Sequence, residues 1–289
     1  LVIDSPNIAG EYLRSNLEEV LTELNFFDDE PYPEKIIKIY NEVATCKMKQ
    51  SASENDKLLI QAINSIDEID ESISKLIERM REWYIIYFPE MDMISNNEAY
   101  IKIIAESKNR EEIIKNYQDS FKIDFDESAG ADITDDDLVV LNNFANSLYS
   151  LQKSRKEITD YIDSKMSDIA PNLKDLVGAS LGAKLIAHSG GLKKLAMYPS
   201  STIQIMGAEK ALFRHLKTGE RPPKHGLIFQ HPKIRSSNWW NRGKIARLLA
   251  LKISLAVRRD VFVKKFNPQI KIDFEEEAER IEKENPFPK

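Results

Sequence analysis

From Leu59 onward, apolar side chains recur at Leu59, Ala62, Ile66, Ile69, Ile73, Leu76, Met80, Trp83 and Tyr87. The intervals alternate between three and four. Charged residues such as Asp67, Glu71, Lys75, Glu78 and Arg79 fill the positions between. This seam of about four heptads predicts a coiled-coil helix, with an ordinary long amphipathic helix as the alternative. Pro89 ends the pattern. A second long helix is expected to start at Thr134, whose hydroxyl is a candidate N-cap. Asp135, Asp136 and Asp137 then occupy the first turn, where the helix dipole favours anions. A metal site is the weaker reading of that acidic triplet. The seam continues through Leu141, Phe144, Leu148, Leu151, Ile158, Ile162 and Ile169, is interrupted by Arg155 and Lys165, and stops at Pro171. Two helices of about 35 residues, each roughly 50 Å long, fold most economically as an antiparallel hairpin. Residues 90–133 join them and carry short helical patterns near 100–104 and 111–117, a small cap at the tip. Leu59, Ile66, Ile69, Ile73, Leu76 and Met80 are the expected contacts of a homodimer seam.

Outside the hairpin the pattern changes. Residues 9–24 read as one helix, and a second starts at Pro33-Glu34 and runs through Val43; Pro6, Pro31 and Pro33 mark breaks. Only Gly10 and Gly130 precede residue 178, whereas eight glycines lie between Gly178 and Gly243. The front is therefore long helices and the back is compact and turn-rich. In the back, residues 173–187, 202–216 and 242–261 have helical patterns. Residues 226–229 are apolar between turns, either a buried loop or a strand-like segment. After Pro268 an acidic helix is expected, fraying toward Pro286 and Pro288. The fold class is all-α, a long antiparallel coiled-coil hairpin plus a compact helical domain. The expected boundaries are 1–50, 51–170 (tip 90–133), 171–265 and 266–289.

Charge sharpens this division. The 289 residues carry a net charge of −6, yet residues 171–265 hold 19 Lys/Arg against four acidic side chains, Asp175, Glu209, Glu220 and Asp260. An excess of about +15 on one small domain costs self-repulsion unless an anion relieves it. Nucleic acid is the obvious anion, because each cation placed on a phosphate releases counterions. Lys210, Arg214 and Lys217 share one helix face by spacing. Arg242, Lys244, Arg247, Lys252, Arg258 and Arg259 lie along the last helix of the domain. Lys224, His225, Lys233, Arg235, Trp239 and Trp240 lie between. Loop aromatics interleaved with cations can stack on unpaired RNA bases, although one of the two tryptophans at least is expected in the core.

Catalytic patterns are missing. The single cysteine, Cys46, excludes an internal disulfide framework and a Cys-based zinc site from one chain, and it points to a reducing cytoplasm or nucleus. His188, His215, His225 and His231 form no metal-binding spacing. A His188–Ser189 nucleophile pair has nothing to support it. The 178–182 run, GASLG, is neither a dinucleotide-binding loop nor a P-loop and reads as close helix packing. No apolar run approaches the ~20 residues of a membrane span, and the first residues do not resemble a signal peptide. The chain does not begin with Met, and a longer native N-terminus is expected.

The run YPSSTIQIMGAEKALFR (198–214) resembles the signature of the Nop-domain family. PPKHGLIFQHPKIRSS (222–237) and RGKIARLLALK (242–252) are similar to the same family in the same order, across about 100 residues. The likeness is greatest to the archaeal Nop core protein of box C/D small ribonucleoproteins. The resemblance implies a non-catalytic scaffold that binds kink-turn guide RNA jointly with a small, ribosomal-like kink-turn-binding protein. It implies a coiled coil that self-associates. It also implies an N-terminal domain that holds fibrillarin, the methyltransferase acting on RNA ribose 2′-hydroxyls. S-adenosylmethionine would belong to fibrillarin, and this chain would need no cofactor or metal. By motif match, Gly207, Ala208 and Glu209 would meet the kink-turn protein. Lys210, Arg214, Lys217, Lys224, His225, Arg235, Arg242, Lys244, Arg247 and Lys252 would meet RNA. Residues 1–50 would be a truncated remnant of the fibrillarin-binding domain. A Lys-rich C-terminal tail usual in eukaryotic relatives is absent, which favours an archaeal, cytoplasmic protein over a nucleolar one. Gly191 stands where Ser is usual. A spliceosomal Nop-domain protein is the alternative within the family. An RNA-modifying enzyme and a DNA-binding helical protein are the alternatives outside it.

Overall fold

The computed structural model describes residues 8–24, 32–52, 55–121 and 128–288, and none of these lies in a strand. The chain forms two compact units, residues 1–54 and 55–289. In the first, α1 (Ile8–Ser15) and α2 (Leu17–Glu23) replace the single helix expected over 9–24. Asn16 separates them, its amide Nδ2 donating to the Tyr12 carbonyl at 3.0 Å. α3 (Tyr32–Ala52) runs well past Val43 and carries Pro33 in its first turn, where a missing N–H costs nothing. No described side chain of this unit is buried. The breaks expected at Pro6 and Pro31 lie outside the described residues.

The second unit is built on a hairpin of α4 (Asn55–Tyr87) and α7 (Asp135–Ile169). The helices run antiparallel. Leu59 and Ile63 at the start of α4 share a core with Ile162 and Met166 at the end of α7, while Met80 and Tyr84 share another with Leu141 and Ala145. Midway, the Arg155 guanidinium grips the Asp70 carboxylate, with Nη2 at 3.0 Å from Oδ2. This explains how a cation interrupts the seam without breaking it. Thr134 caps α7 in a capping box with Asp137, so the first acidic residues serve the helix terminus. At the tip, α5 (Asn97–Glu106) and α6 (Arg110–Phe121) enclose Tyr84, Phe88 and Tyr100. Arg81 fastens this cap. It donates to Asp92 and Asn97 at about 3 Å and lies 4.2 Å above the Tyr100 ring.

The buried stripe of α4 differs from the sequence seam at three places. Ile63, Ile77 and Tyr84 are buried where Ala62, Leu76 and Trp83 were expected, leaving Leu76 37% and Trp83 43% exposed. At each place two adjacent residues are apolar. A helix of 3.6 residues per turn drifts about 20° per heptad against a strict repeat, and the drift selects the neighbour. Of the expected dimer contacts, Leu59, Ile66 and Met80 are buried within the chain, and Ile69 and Ile73 are half-buried. Leu59, Ile66 and Met80 thus belong to the chain's own cores and Ile73 packs against one of them, while Leu76 alone among the six is exposed.

The basic domain is layered around α14 (Arg242–Arg258), which buries ten of its residues. Around it lie α8 (Pro171–Val177), α9 (Ala179–Ser189), α10 (Leu192–Met197), α11 (Ser200–Ile205), α12 (Glu209–Thr218) and α13 (Pro232–Ser236). The helix expected over 173–187 is broken at Gly178 (φ +82°), and that over 202–216 at Gly207 (φ +83°). The apolar run 226–229 is neither strand nor loop but a 3-10 turn, Leu227–Gln230, with Ile228 fully buried. One core runs from Leu59 and Ile162 in the hairpin base through α8 to α14, so the boundary expected at residue 170 divides no core. The acidic helix expected after Pro268 is present, and it is packed instead of loose. It forms α15 (Gln269–Glu284), with Ile270, Phe274 and Ala278 buried in that core.

Asp260 ties the two ends of the domain together. Its carboxylate accepts from the Asn172 and Leu173 amides at 3.0 Å each and from Asn172 Nδ2 at 2.6 Å, capping α8. Burial raises its pKa, with these donors opposing the shift. Asp260→Ala strands the Asn172 and Leu173 amides in a buried site, where each unsatisfied group costs about 1–3 kcal/mol, while Asn172 Nδ2 keeps the Lys265 carbonyl. A loss of about 3 kcal/mol in the urea unfolding transition is expected, with native-like stability in the variant counting against the clamp.

Candidate nucleic-acid interface

α12 stands off the core. None of its residues is buried, and Lys210, Arg214 and Lys217 are all exposed on it. Phe213 (61%) and Leu216 (69%) are exposed beside them. Spacing predicted the cationic face, but the apolar pair went unnoticed because helical periodicity assigns such residues to a core. Arg214 Nε also lies 2.7 Å from Glu220 Oε2. This pair is largely solvent-exposed and worth less than about 1 kcal/mol, so an incoming phosphate displaces it at little cost.

The start of α12 is a built turn. Gly207 sits at φ +83°, and a Cβ there would meet Leu227 Cγ at 2.6 Å. The chain's own turn therefore demands glycine here. Glu209 Oε1 accepts from the Gly207 amide at 2.8 Å and lies 2.6 Å from His188 Nε2. Burial pushes the Glu209 carboxyl up, but the Gly207 amide and His188 outweigh it and leave its pKa below the usual value. That linkage stabilises the turn above the ordinary carboxylate pKa and is lost on acidification through the lowered one. Glu209 thus has an internal role, and Ala208 is half-buried at its side.

The loop between α12 and α14 gathers the second group. Gln204 anchors it, donating from Nε2 to the Lys224 carbonyl at 2.8 Å and accepting from the Gly226 amide at 3.0 Å. The next turn stacks His225 on Phe229, centroids 4.4 Å apart and ring planes nearly parallel, and sets the Arg242 guanidinium 5.5 Å from the same ring. Arg242 also donates to the carbonyls of Ser237 (3.1 Å) and Arg235 (3.3 Å), at the end of α13. Burial, and then the charges of Arg242 and Lys224, hold the His225 pKa below its ordinary value, so it stacks as a neutral ring at pH 7. Lys224 places its ammonium 5.6 Å from the Trp239 centroid. Trp239 is 60% exposed, while Trp240 is half-buried and donates from Nε1 to the Asn285 carbonyl at 3.0 Å.

The remaining candidates separate. Arg235, Lys244 and Arg247 are exposed, with Lys244 touching the Asn285 side chain. Lys252 is a correction. It is 9% exposed, and its ammonium lies 2.8 Å from Glu277 and 3.5 Å from Asp273 on α15. It neutralises the acidic helix instead of reaching solvent. Lys233 is engaged similarly by Glu282 at 2.9 Å. The four histidines do not converge. His188 serves the α12 turn, His215 contacts the Glu220 carbonyl, His225 stacks, and His231 is packed edge-on against Phe274 with its Nε2 toward the Leu176 carbonyl. Among the described residues, no helix is long and apolar enough to cross a membrane.

Comparison with known proteins agrees with this architecture. A family model described as the Nop snoRNA binding domain, fibrillarin, matches residues 65–283. A NOP5 family protein of Methanocaldococcus jannaschii is 41% identical over 266 residues, covering 88% of this chain and 64% of that protein. Nucleolar protein 58 of Yarrowia lipolytica is 38% identical over 226 residues (75% of this chain, 44% of the relative). Human nucleolar protein 56 is 39% identical over 230 residues (75% and 39%). The chain therefore spans less than two thirds of the length of these relatives. A crystal structure of a fibrillarin/Nop5p complex shares the fold with a TM-score of 0.51 at 23% identity, over 97% of this chain and 88% of that one. With the family match running from the hairpin through the basic domain into α15, the chain belongs to the Nop family.

Proposed function

We propose that this chain is a non-catalytic scaffold of a box C/D guide ribonucleoprotein. In this reading the basic domain binds kink-turn guide RNA jointly with a kink-turn-binding protein, and the first unit helps to hold fibrillarin. Fibrillarin, carrying S-adenosylmethionine, then methylates the target ribose. The observation that carries the reading is α12, a helix with no buried residue that presents Lys210, Arg214 and Lys217 together with Phe213 and Leu216. The cations suit a phosphate backbone, and the apolar pair suits a protein surface. A composite of RNA and protein answers both, whereas naked duplex answers only the first. Ala208 and Glu209 would contribute through the turn that aims the helix. The four-part division retains meaning as a division of labour: first unit, hairpin, RNA-reading domain, and an acidic helix that locks it.

Self-association is assigned to the exposed apolar face of the hairpin instead of its buried seam. Leu76, Trp83 and Ile86 are exposed on α4, Trp83 leans on Phe144 of α7 at 6.4 Å between centroids, and Val140 is exposed one turn before it. An archaeal, cytoplasmic setting is part of the same proposal. The test is reconstitution with guide RNA, kink-turn protein and fibrillarin. Methylation is expected only when fibrillarin is present, and capture of the RNA is expected to be tighter once the kink-turn protein is bound. Methyl transfer by the purified chain alone, or equal affinity for naked and protein-bound RNA, contradicts the scaffold reading.

A further inference from the structure

We propose that Trp239, with Lys224 across its ring, is a platform for an unpaired nucleobase of the bound RNA, separate from the phosphate contacts of α12. The inference rests on the RNA-binding reading and deepens it. Trp239 is left 60% exposed although its neighbour Trp240 is half-buried and fixed through its indole N–H to the Asn285 carbonyl. The two rings meet edge to face at 5.8 Å, so the anchored one orients the open one. The backbone of Lys224 is held as well. Its carbonyl is held by Gln204 Nε2 at 2.8 Å, and its aliphatic stem passes over Gly243, where an added Cβ would lie 3.5 Å from Lys224 Cδ. The stem therefore runs at van der Waals distance along the start of α14. The platform is preorganised, which lowers the entropy lost on binding.

The adjoining ring, Phe229, already carries His225 and Arg242. Trp239 is the aromatic surface left open in this loop. An exposed cation–π contact is weaker than stacking of a base on an aromatic ring, so a base can replace the ammonium over the indole. The released ammonium then meets the phosphate of the same nucleotide, and no charge is left without a partner. Unpaired RNA is the fitting ligand because only a splayed base offers its π face. A purely apolar peptide would leave the Lys224 ammonium at the ring uncompensated.

The experiment uses the full chain with Trp83→Phe, so that emission comes from Trp239 and Trp240. Affinity at low salt is measured for a ten-nucleotide oligouridine and for an abasic oligonucleotide of equal phosphate count. Trp239→Ala is expected to weaken oligouridine binding about tenfold, leaving abasic binding and the salt slope unchanged. Trp239→Phe should keep most of the affinity while abolishing most of the quenching by oligouridine. Lys224→Ala should weaken both ligands and flatten the slope. Equal affinities in parent and Trp239→Ala, or equal losses for the two ligands, overturn the platform while RNA binding stands. Failure of the parent to bind either oligonucleotide overturns the RNA-binding reading along with it.

Discussion

Replacing Lys210 and Arg214 with Glu together is expected to weaken capture of a kink-turn RNA–protein complex by about 100-fold or more. Each lost phosphate contact removes about 1 kcal/mol of counterion release near physiological salt, and each reversed charge adds repulsion of similar size. Both side chains are exposed on a helix with no buried residue, so the fold has no reason to change. Circular dichroism should therefore match the parent. The single neutral changes Lys210→Gln and Arg214→Gln each flatten the log-affinity against log-salt slope by about one unit. Arg214→Gln also frees Glu220, a carboxylate beside the contact, and its loss is expected to be the larger. An unchanged slope in both removes these residues from the phosphate contact.

Leu76→Asp combined with Trp83→Asp is expected to give a monomer in sedimentation, with association weakened on the order of 1,000-fold. Central aromatic and apolar anchors typically carry about 2 kcal/mol or more each when removed from an interface. The two residues are 37% and 43% exposed, so the intramolecular hairpin retains its own buried stripe of Ile63, Ile77 and Tyr84. By contrast, aspartates at Ile69 and Ile73 bear on the half-buried inner face and should unfold the hairpin instead of parting two folded copies. Retention of the dimer with Leu76 and Trp83 both changed places the interface elsewhere. Helicity in each variant separates dissociation from unfolding.

The hairpin was legible because its signals are local. A three–four spacing, a Thr N-cap followed by acidic residues and terminating prolines specify two long helices without reference to anything distant. The charge asymmetry was legible for the same reason, since it follows from counting side chains along the chain. The exposed face of α12 followed from a three–four spacing of cations. The two helix breaks at Gly178 and Gly207 had a signal in the glycines themselves, which tolerate positive φ. Periodicity on either side masked them.

Other features depended on partners far away in sequence. Which of two adjacent apolar residues on α4 faces inward is settled by α7, so Ile77 rather than Leu76 is buried. Whether Lys252 meets RNA or a carboxylate is settled by α15, which brings Glu277 within 2.8 Å. Which tryptophan is open is settled by Asn285, 45 residues beyond Trp240. The sequence by itself thus determined the two long helices, the Thr134 cap and the sign of the charge on each segment, because those depend on neighbours within a turn or two. Only the tertiary structure decided which cations and rings remain available to a ligand. Availability is whatever the long-range packing of α7, α14 and α15 leaves uncovered and unpaired.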